Sequence, residues 1–396
     1  MTLSWAVQIV SAISDVPDLS NDYGTRVLLP SEIDAGRWNA LLAHAGGSPF
    51  MRHEYLAAMQ DSGSAVRTTG WTPQFLTLWR EGELEAACPL YLKSHSYGEY
   101  VFDWAWANAY EQHGLRYYPK ALTAVPFTPV PGPRLLARDA PARAALVRSL
   151  LAWCKQKKVS SWHLLFASDE DVQACSEAGL MLRHTVQFHW MNTAYADFDA
   201  FLASLTQDKR KKIRQERRKV AEAGVVFRHA RGTEIGERDW DFFYRCYERT
   251  YLEHGNAPYL SRDFFRRMAG TMPENWLLFI AERAGQAIAS SLIGIGGEVA
   301  YGRYWGALER VDCLHFEACY YQPLEWCIAN GIERFEGGAQ GEHKMARALM
   351  PVKTTSAHWL AHPAFADAVE KFLAREDRGI EGYLEHLEER SPFRHP

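Results

Sequence analysis

Apolar and polar positions alternate most clearly in two stretches that resemble each other. In FLTLWREGELEAACPLYL (75–92) an apolar run, a tight Glu-Gly-Glu turn and a second apolar run predict strand, turn, strand, and YVFDW (100–104) predicts a further strand. LLFIAERAGQAIASSLIGI (277–295) repeats the pattern around an Arg-Ala-Gly turn, about 200 residues later, and VAYGRYW (299–305) supplies its third strand. Each hairpin precedes an amphipathic helix and a short strand: ARAALVRSLLAWCKQKK before WHLLF in the first half, HFEACYYQPLEWCIANG before ERFEGG in the second. One supersecondary unit is used twice.

Strands in a meander, followed by a helix and another strand, predict an α+β chain with mixed, mostly antiparallel sheets. That order suits two tandem units of the GNAT (acyl-CoA N-acyltransferase) class, and other folds could carry it too. The first is placed at 1–188, with a helix beginning near Ser48-Pro49, and the second at 189–362, opened by a strand at QFHWMNT. The tail, 363–396, predicts terminal helices at AFADAVEKFLARE and IEGYLEHLEER.

Composition narrows the function classes. The 396 residues are 47% hydrophobic and 23% charged with a formal net charge of -4, the balance of an ordinary protein of two domains with no global affinity for DNA or membrane. No apolar run reaches the roughly 18 residues of a membrane helix. The first 22 residues lack a basic segment and carry Asp within their apolar part, so a cytoplasmic location is expected. Seven scattered cysteines without a CxxC pair predict reduced thiols, with neither a disulfide framework nor a metal site.

The most unusual local composition is DKRKKIRQERRKV (208–220), eight Lys or Arg against two acids. Ile213, Val220 and Ala221 form only a thin apolar stripe, so a mostly solvated helix ending at Gly224 is expected. Such a helix is either a charged surface without a ligand or a contact for phosphate or tRNA, through Lys209, Arg210, Lys212, Arg214, Arg217 and Arg218.

SLTQDKRKKIRQERRKVAEAGVVF, the hairpin at 277–295 and ERFEGGAQGEHKMARALMPV together resemble the Fem-type peptidoglycan branching aminoacyltransferases. SPFMRHEYLAAMQDSGS, WANAYEQHGLRYYPKALTAVPFTPVPGPRLL, HFEACYYQPLEW and GEHKMARALMPVKTTSAHW are similar to an uncharacterised bacterial branch of predicted N-acyltransferases. The resemblance covers roughly 48–362. It implies transfer of an aminoacyl or acyl group from aminoacyl-tRNA or acyl-CoA to the amine of a small molecule or peptide, with neither a metal nor a tightly bound cofactor. It also implies a lysine after the Gly-Gly strand as the charge that meets the oxyanion. The matching segment offers Lys344, which is preferred, and Arg347.

Candidate proton acceptors flank that lysine, Glu342 and His343, or open the 313–330 helix, His315 and Glu317. His315 and Glu317 are two apart on a helix and point in different directions. Gly337-Gly338 permits either a plain turn or close approach of a ligand. Five prolines between 119 and 133 stiffen a loop that is either a connection or the wall of an acceptor site. In the second case Tyr117, Tyr118, Lys120, Phe127, Thr128 and Arg134 would contact the acceptor, with Trp104 and Tyr304 lining the cleft. The strand-to-helix junction GALERVDCLHFEA lacks the Q/R-x-x-G-x-G/A pattern that cradles the CoA pyrophosphate in GNAT enzymes, which weakens a standard CoA site. A binding module without catalysis, recognising tRNA or a cell-wall precursor, is the reading from another class.

Overall fold

The computed structural model describes residues 23–339 and 341–394; the N-terminal segment 1–22 read above lies outside them. At the centre of an 11-stranded sheet run two long antiparallel strands, Met181–Met191 and Met350–Leu360, joined through nine residue pairs. Outward from Met181–Met191 lie Arg334–Ala339, Val299–Ala307, Gln286–Gly296, Trp276–Arg283 and Val225–Arg231. Outward from Met350–Leu360 lie Ser161–Leu164, Lys120–Thr123, Tyr91–Lys93 and Trp71–Pro73. On both sides the strand beside the central pair is antiparallel to it and parallel to the next one out.

The strand order is mirrored about the centre, the arrangement of two tandem GNAT-like units in an α+β fold, but the two hairpins read as a repeat part company: Trp276–Arg283 and Gln286–Gly296 lie in this sheet, and Phe75–Arg80 and Glu83–Cys88 in a separate one. The last strand of each half pairs with the other half: Met181–Met191 with Arg334–Ala339, and Met350–Leu360 with Ser161–Leu164. QFHWMNT is thus the far end of a strand that straddles 188 and 189 and serves both units. A smaller sheet, in the order Gly24–Leu28, Phe75–Arg80, Glu83–Cys88, Leu136–Ala137, completes the first half.

Two expectations are corrected. YVFDW forms no strand: Tyr100 adopts φ 64°, and Asp103 precedes a helix, Trp104–Gln112, so the backbone turns away from the sheet and Lys120–Thr123 takes the strand's place. The two terminal helices are one, Pro363–Glu389, because no Gly or Pro signal breaks the period between them strongly enough.

The halves share a core. Phe50, Met51 and Tyr55 of the first half pack with Trp240, Phe264, Trp276 and Tyr301 of the second in one cluster. Gly294 and Gly296 leave room for this docking, since a Cβ there would stand 2.7 Å from the Phe50 ring and 2.5 Å from Pro49. Gly306 plays a stricter part, because its Cβ would stand 2.0 Å from the Cys246 carbonyl of the helix Glu237–Glu253. Gly306→Ala is expected to cost at least about 1–3 kcal/mol by overpacking against backbone that cannot swing aside, measurable as a fall in the thermal unfolding midpoint.

Candidate active site

Val299–Ala307 and Arg334–Ala339 run parallel but pair only at three positions, Val299 to Tyr301 against Arg334 to Glu336. Beyond them the strands diverge, leaving the inner edge of 302–307 without a partner strand. Hydrogen-bonding groups along such an edge are open to a ligand. A bulge between Leu292 and Ile293 places Gly302 and Tyr304 opposite consecutive residues and leaves Arg303 as the extra one. The gap is a pocket of about 140 Å³ lined by Ser291, Gly302, Arg303, Tyr304, Trp305, His315, Cys319, Tyr320, Phe335 and Gly337.

The helix that closes one side is interrupted. It runs as a turn at Leu314–Phe316, a π segment at Glu317–Tyr321 and an α-helix at Gln322–Ala329. The wider turn falls where Cys319 and Tyr320 face the pocket, a position at which π segments recur in functional sites.

His315 lies in the pocket, its ring edge-on to Trp305 at 5.5 Å and Tyr320 at 5.8 Å. Burial first, and then its neighbours His343, Arg347 and Lys344, push its imidazole down to about 4, so it is neutral near pH 7. Glu317 points elsewhere. It is buried beside the basic helix, where Oε1 accepts hydrogen bonds from Arg217 (3.1 Å) and Gln322 (2.8 Å) and Oε2 has no partner.

The other nominated catalytic groups surround the pocket without entering it. Lys344 is 4% exposed and donates to the carbonyls of Gly338 (3.1 Å) and Ala339 (3.2 Å), on the far side of Gly337. Burial lowers its ammonium to about 8, and no carboxylate pairs with it among the described residues. His343 meets the Tyr320 hydroxyl at 3.3 Å, and burial lowers its imidazole too. Glu342 is at the surface, accepting from Tyr383 (2.8 Å) and Arg390 (3.0 Å) of the C-terminal helix. Arg347 is a tie rod: Nη2 donates to both oxygens of Glu216 (3.0 and 2.9 Å), Nε to Tyr321 (3.2 Å) and Nη1 to the His343 carbonyl (2.9 Å).

The glycines have resolved reasons. A Cβ on Gly337 would stand 2.6 Å from Leu349 and 3.2 Å from the Lys344 stem, so close packing demands that glycine; Gly338 takes φ 74°.

The basic helix is Gln207–Glu222, ending before Gly224 at φ 73°. Its buried stripe is Ile213, Glu216 and Val220; Ala221 is exposed, because Glu216 turns inward to Arg347. Arg217 pairs with Glu317 and Glu325, and Arg214 with Asp199. Lys209, Arg210, Lys212 and Arg218 form no ion pair among the described residues, which leaves a cationic outer face.

The proline-rich loop divides in two. Phe127 and Thr128 hold a residue of the pocket from behind: Arg303 Nη2 donates to the Phe127 carbonyl (3.0 Å), the Thr128 hydroxyl (3.2 Å) and the Tyr304 hydroxyl (3.1 Å). Tyr117, Tyr118, Lys120 and Arg134 do not reach it. Lys120 is fully buried and donates to Glu99 (2.7 Å), Ser96 (2.7 Å) and Asp103, while Tyr117 donates to Asp103 (2.6 Å). Tyr118 meets Ser96 at 2.8 Å. Arg134, 1% exposed, is spent on carbonyls of its own loop, Val130, Gly132 (3.1 Å) and Pro133 (3.3 Å). Trp104 is at the surface against Tyr97. Tyr117, Lys120 and Arg134 are buried on these partners, and Trp104 is exposed outside the pocket, a division that sequence cannot show.

Sequence reading missed Arg303, Ser291, Cys319 and Tyr320. Only Arg303 carried a signal: a cation inside the apolar run VAYGRYW has to find neutral partners or a ligand.

A family model of FemAB-like proteins, described as peptidoglycan biosynthesis/recognition, matches residues 30–395. No curated protein sequence matches the chain. Among solved structures, FemX has 11% identity and a TM-score of 0.53, with 85% of this chain and 98% of FemX covered. L-PGS from Bacillus licheniformis has 10% identity and a TM-score of 0.52, with 86% of this chain and 97% of that one covered. Likeness at this identity shows a shared fold. No helix among the described residues is long and apolar enough to cross a membrane. The mirrored GNAT-like units and the match across nearly the whole chain lead to one statement: the protein belongs to the FemAB-like family.

Proposed function

We propose that the protein is an N-acyltransferase that moves an aminoacyl or acyl group from an activated donor to an amine, in the pocket between Val299–Ala307 and Arg334–Ala339. The observation that carries this reading is the divergence of those strands after three pairs, which frees a backbone edge beside a small pocket holding a neutral histidine. The acyl carbonyl lies against the free edge, whose N–H groups stabilise the oxyanion. The acceptor nitrogen attacks the carbonyl carbon and forms the C–N bond. The C–O bond of an ester donor, or the C–S bond of a thioester, breaks with its electron pair on the leaving atom. His315 takes the proton lost by the nitrogen and returns it to that atom. Lys344 acts from behind Gly337, as a fixed positive charge rather than a contact.

The unpaired cations of Gln207–Glu222 favour a polyanionic donor, and aminoacyl-tRNA fits them better than a short thioester. The family's link to peptidoglycan directs the search for acceptors to cell-wall precursors.

Labelled transfer from aminoacyl-tRNA and from acyl-CoA to a panel of amines tests the reading. His315→Gln is expected to lower kcat roughly a hundredfold with little change in KM. Lys344→Met is expected to lower kcat while leaving stability equal or higher, because the ammonium it removes is buried without a counter-charge. Full activity in Lys344→Met removes that residue from the site. Binding of a donor without transfer to any amine favours the non-catalytic alternative.

A further inference from the structure

Among the described residues Arg303 is the one cation that lines the pocket, and no carboxylate is paired with it. All three of its hydrogen bonds run from Nη2 to neutral oxygens, those of Phe127, Thr128 and Tyr304. Nε is buried with no partner. The side chain forms no ion pair among the described residues. Its ring contacts are Phe50 at 5.0 Å and Tyr304 at 4.9 Å, and the phenols of Tyr304, Tyr55 and Tyr100 surround it. The nearby carboxylate, Glu336, accepts from Arg334 at 3.1 Å through Oε1 and acts on Arg303 only from a distance, with no hydrogen bond or ion pair between them.

A guanidinium partly withdrawn from water, with Nε buried and no anion paired to it, is costly, and the cost is recovered when a ligand supplies one. A single guanidinium among neutral phenols balances one negative charge. That matches a carboxylate, whose two oxygens fit the guanidinium fork, better than a phosphate dianion, which calls for several cations. Neither an aminoacyl ester nor a simple acyl thioester has a carboxylate at its reacting end, so the anion belongs to the other substrate.

We propose that Arg303 is the recognition group for a carboxylate, and that the acceptor is an amino acid or short peptide whose free carboxylate lies within a few bonds of its amine. The word acceptor rests on the transferase reading above; the carboxylate site itself does not.

The test compares binding of glycylglycine, glycylglycinamide and phosphoethanolamine to the full chain, followed by the Arg Nε–H resonance of Arg303 and by the unfolding midpoint. Glycylglycine is expected to shift the resonance and raise the midpoint, with the amide roughly tenfold to a hundredfold weaker. Arg303→Gln is expected to abolish that preference. The unmodified protein alone discriminates if the variant fails to fold. An equal response to dipeptide and amide, including none to either, overturns the proposal, as does stronger binding of phosphoethanolamine. Selective binding of glycylglycine without acyl transfer leaves the carboxylate site standing and counts against the transferase reading alone.

Discussion

Arg347→Met is expected to cost the fold about 3–5 kcal/mol, the loss that follows when one partner of a buried ion pair is removed. Glu216 would remain inside the basic helix's inner face with only the Tyr321 hydroxyl to meet it. The guanidinium also lies 3.6 Å from the centre of the Phe316 ring, so its removal loosens the helix that closes the pocket. Adding Glu216→Gln to Arg347→Met is expected to recover most of the loss, because the pair then leaves no buried charge. Chemical denaturation of the single and double variants measures both. If Arg347→Met keeps wild-type stability and loses only activity, the residue is catalytic, as first expected, and its role as a tie rod is wrong.

Acidification is expected to weaken the seam between the halves. His163 and His358 face each other across the paired strands Ser161–Leu164 and Met350–Leu360, with their Nδ1 atoms 2.8 Å apart, which requires at least one lone pair. Burial, Lys120 and Arg183 push His163 down to about 3, against the opposing pull of Asp103; burial, His163 and Arg183 hold His358 well below its usual range. Tyr117 at 3.0 Å, Ser161 and Ser356 (each 2.8 Å) and Trp106 complete the surroundings. The unfolded chain binds protons at both rings near pH 6.5, whereas in the folded one His163 does so only at about pH 3 and His358 only well below its usual range. Their contribution is therefore whole above pH 6.5 and drains away as the pH falls toward 3. Glu99 and Glu336, each raised to about 7 by burial, have the opposite sign, so the comparison is between slopes. His358→Gln should flatten the fall in unfolding midpoint between pH 7 and 4 relative to wild type; identical slopes would contradict the assignment.

The fold was legible where period and turn chemistry agree. Both hairpins, the helices Ala140–Lys157 and Gln207–Glu222 and the strand Val299–Ala307 follow from local pattern. The exchange of final strands was not, because register between distant segments leaves no local trace. At the site, type and place separated. Lys120, Arg134 and Arg347 have the chemistry of binding groups, but they are buried and consumed by Asp103, by backbone carbonyls and by Glu216. A sequence lists donors and acceptors without saying which have already found each other. His315 and Tyr304 line the gap because they sit on the strand and helix that bound it; Cys319 and Tyr320 reach it through a π turn that no periodicity announces.

The crossed final strands make this chain, in effect, a dimer with its two subunits joined end to end. A half cut from the whole near residue 192 would carry one strand meant for its counterpart and lack the one it needs, exposing the rim of Arg334–Ala339 or Ser161–Leu164 as an open edge. The pocket would also lose the hold on its arginine, since Arg303 comes from one half and the carbonyl and hydroxyl that fix it from the other. The second unit thus supplies the room, and the first holds one of its fittings in place.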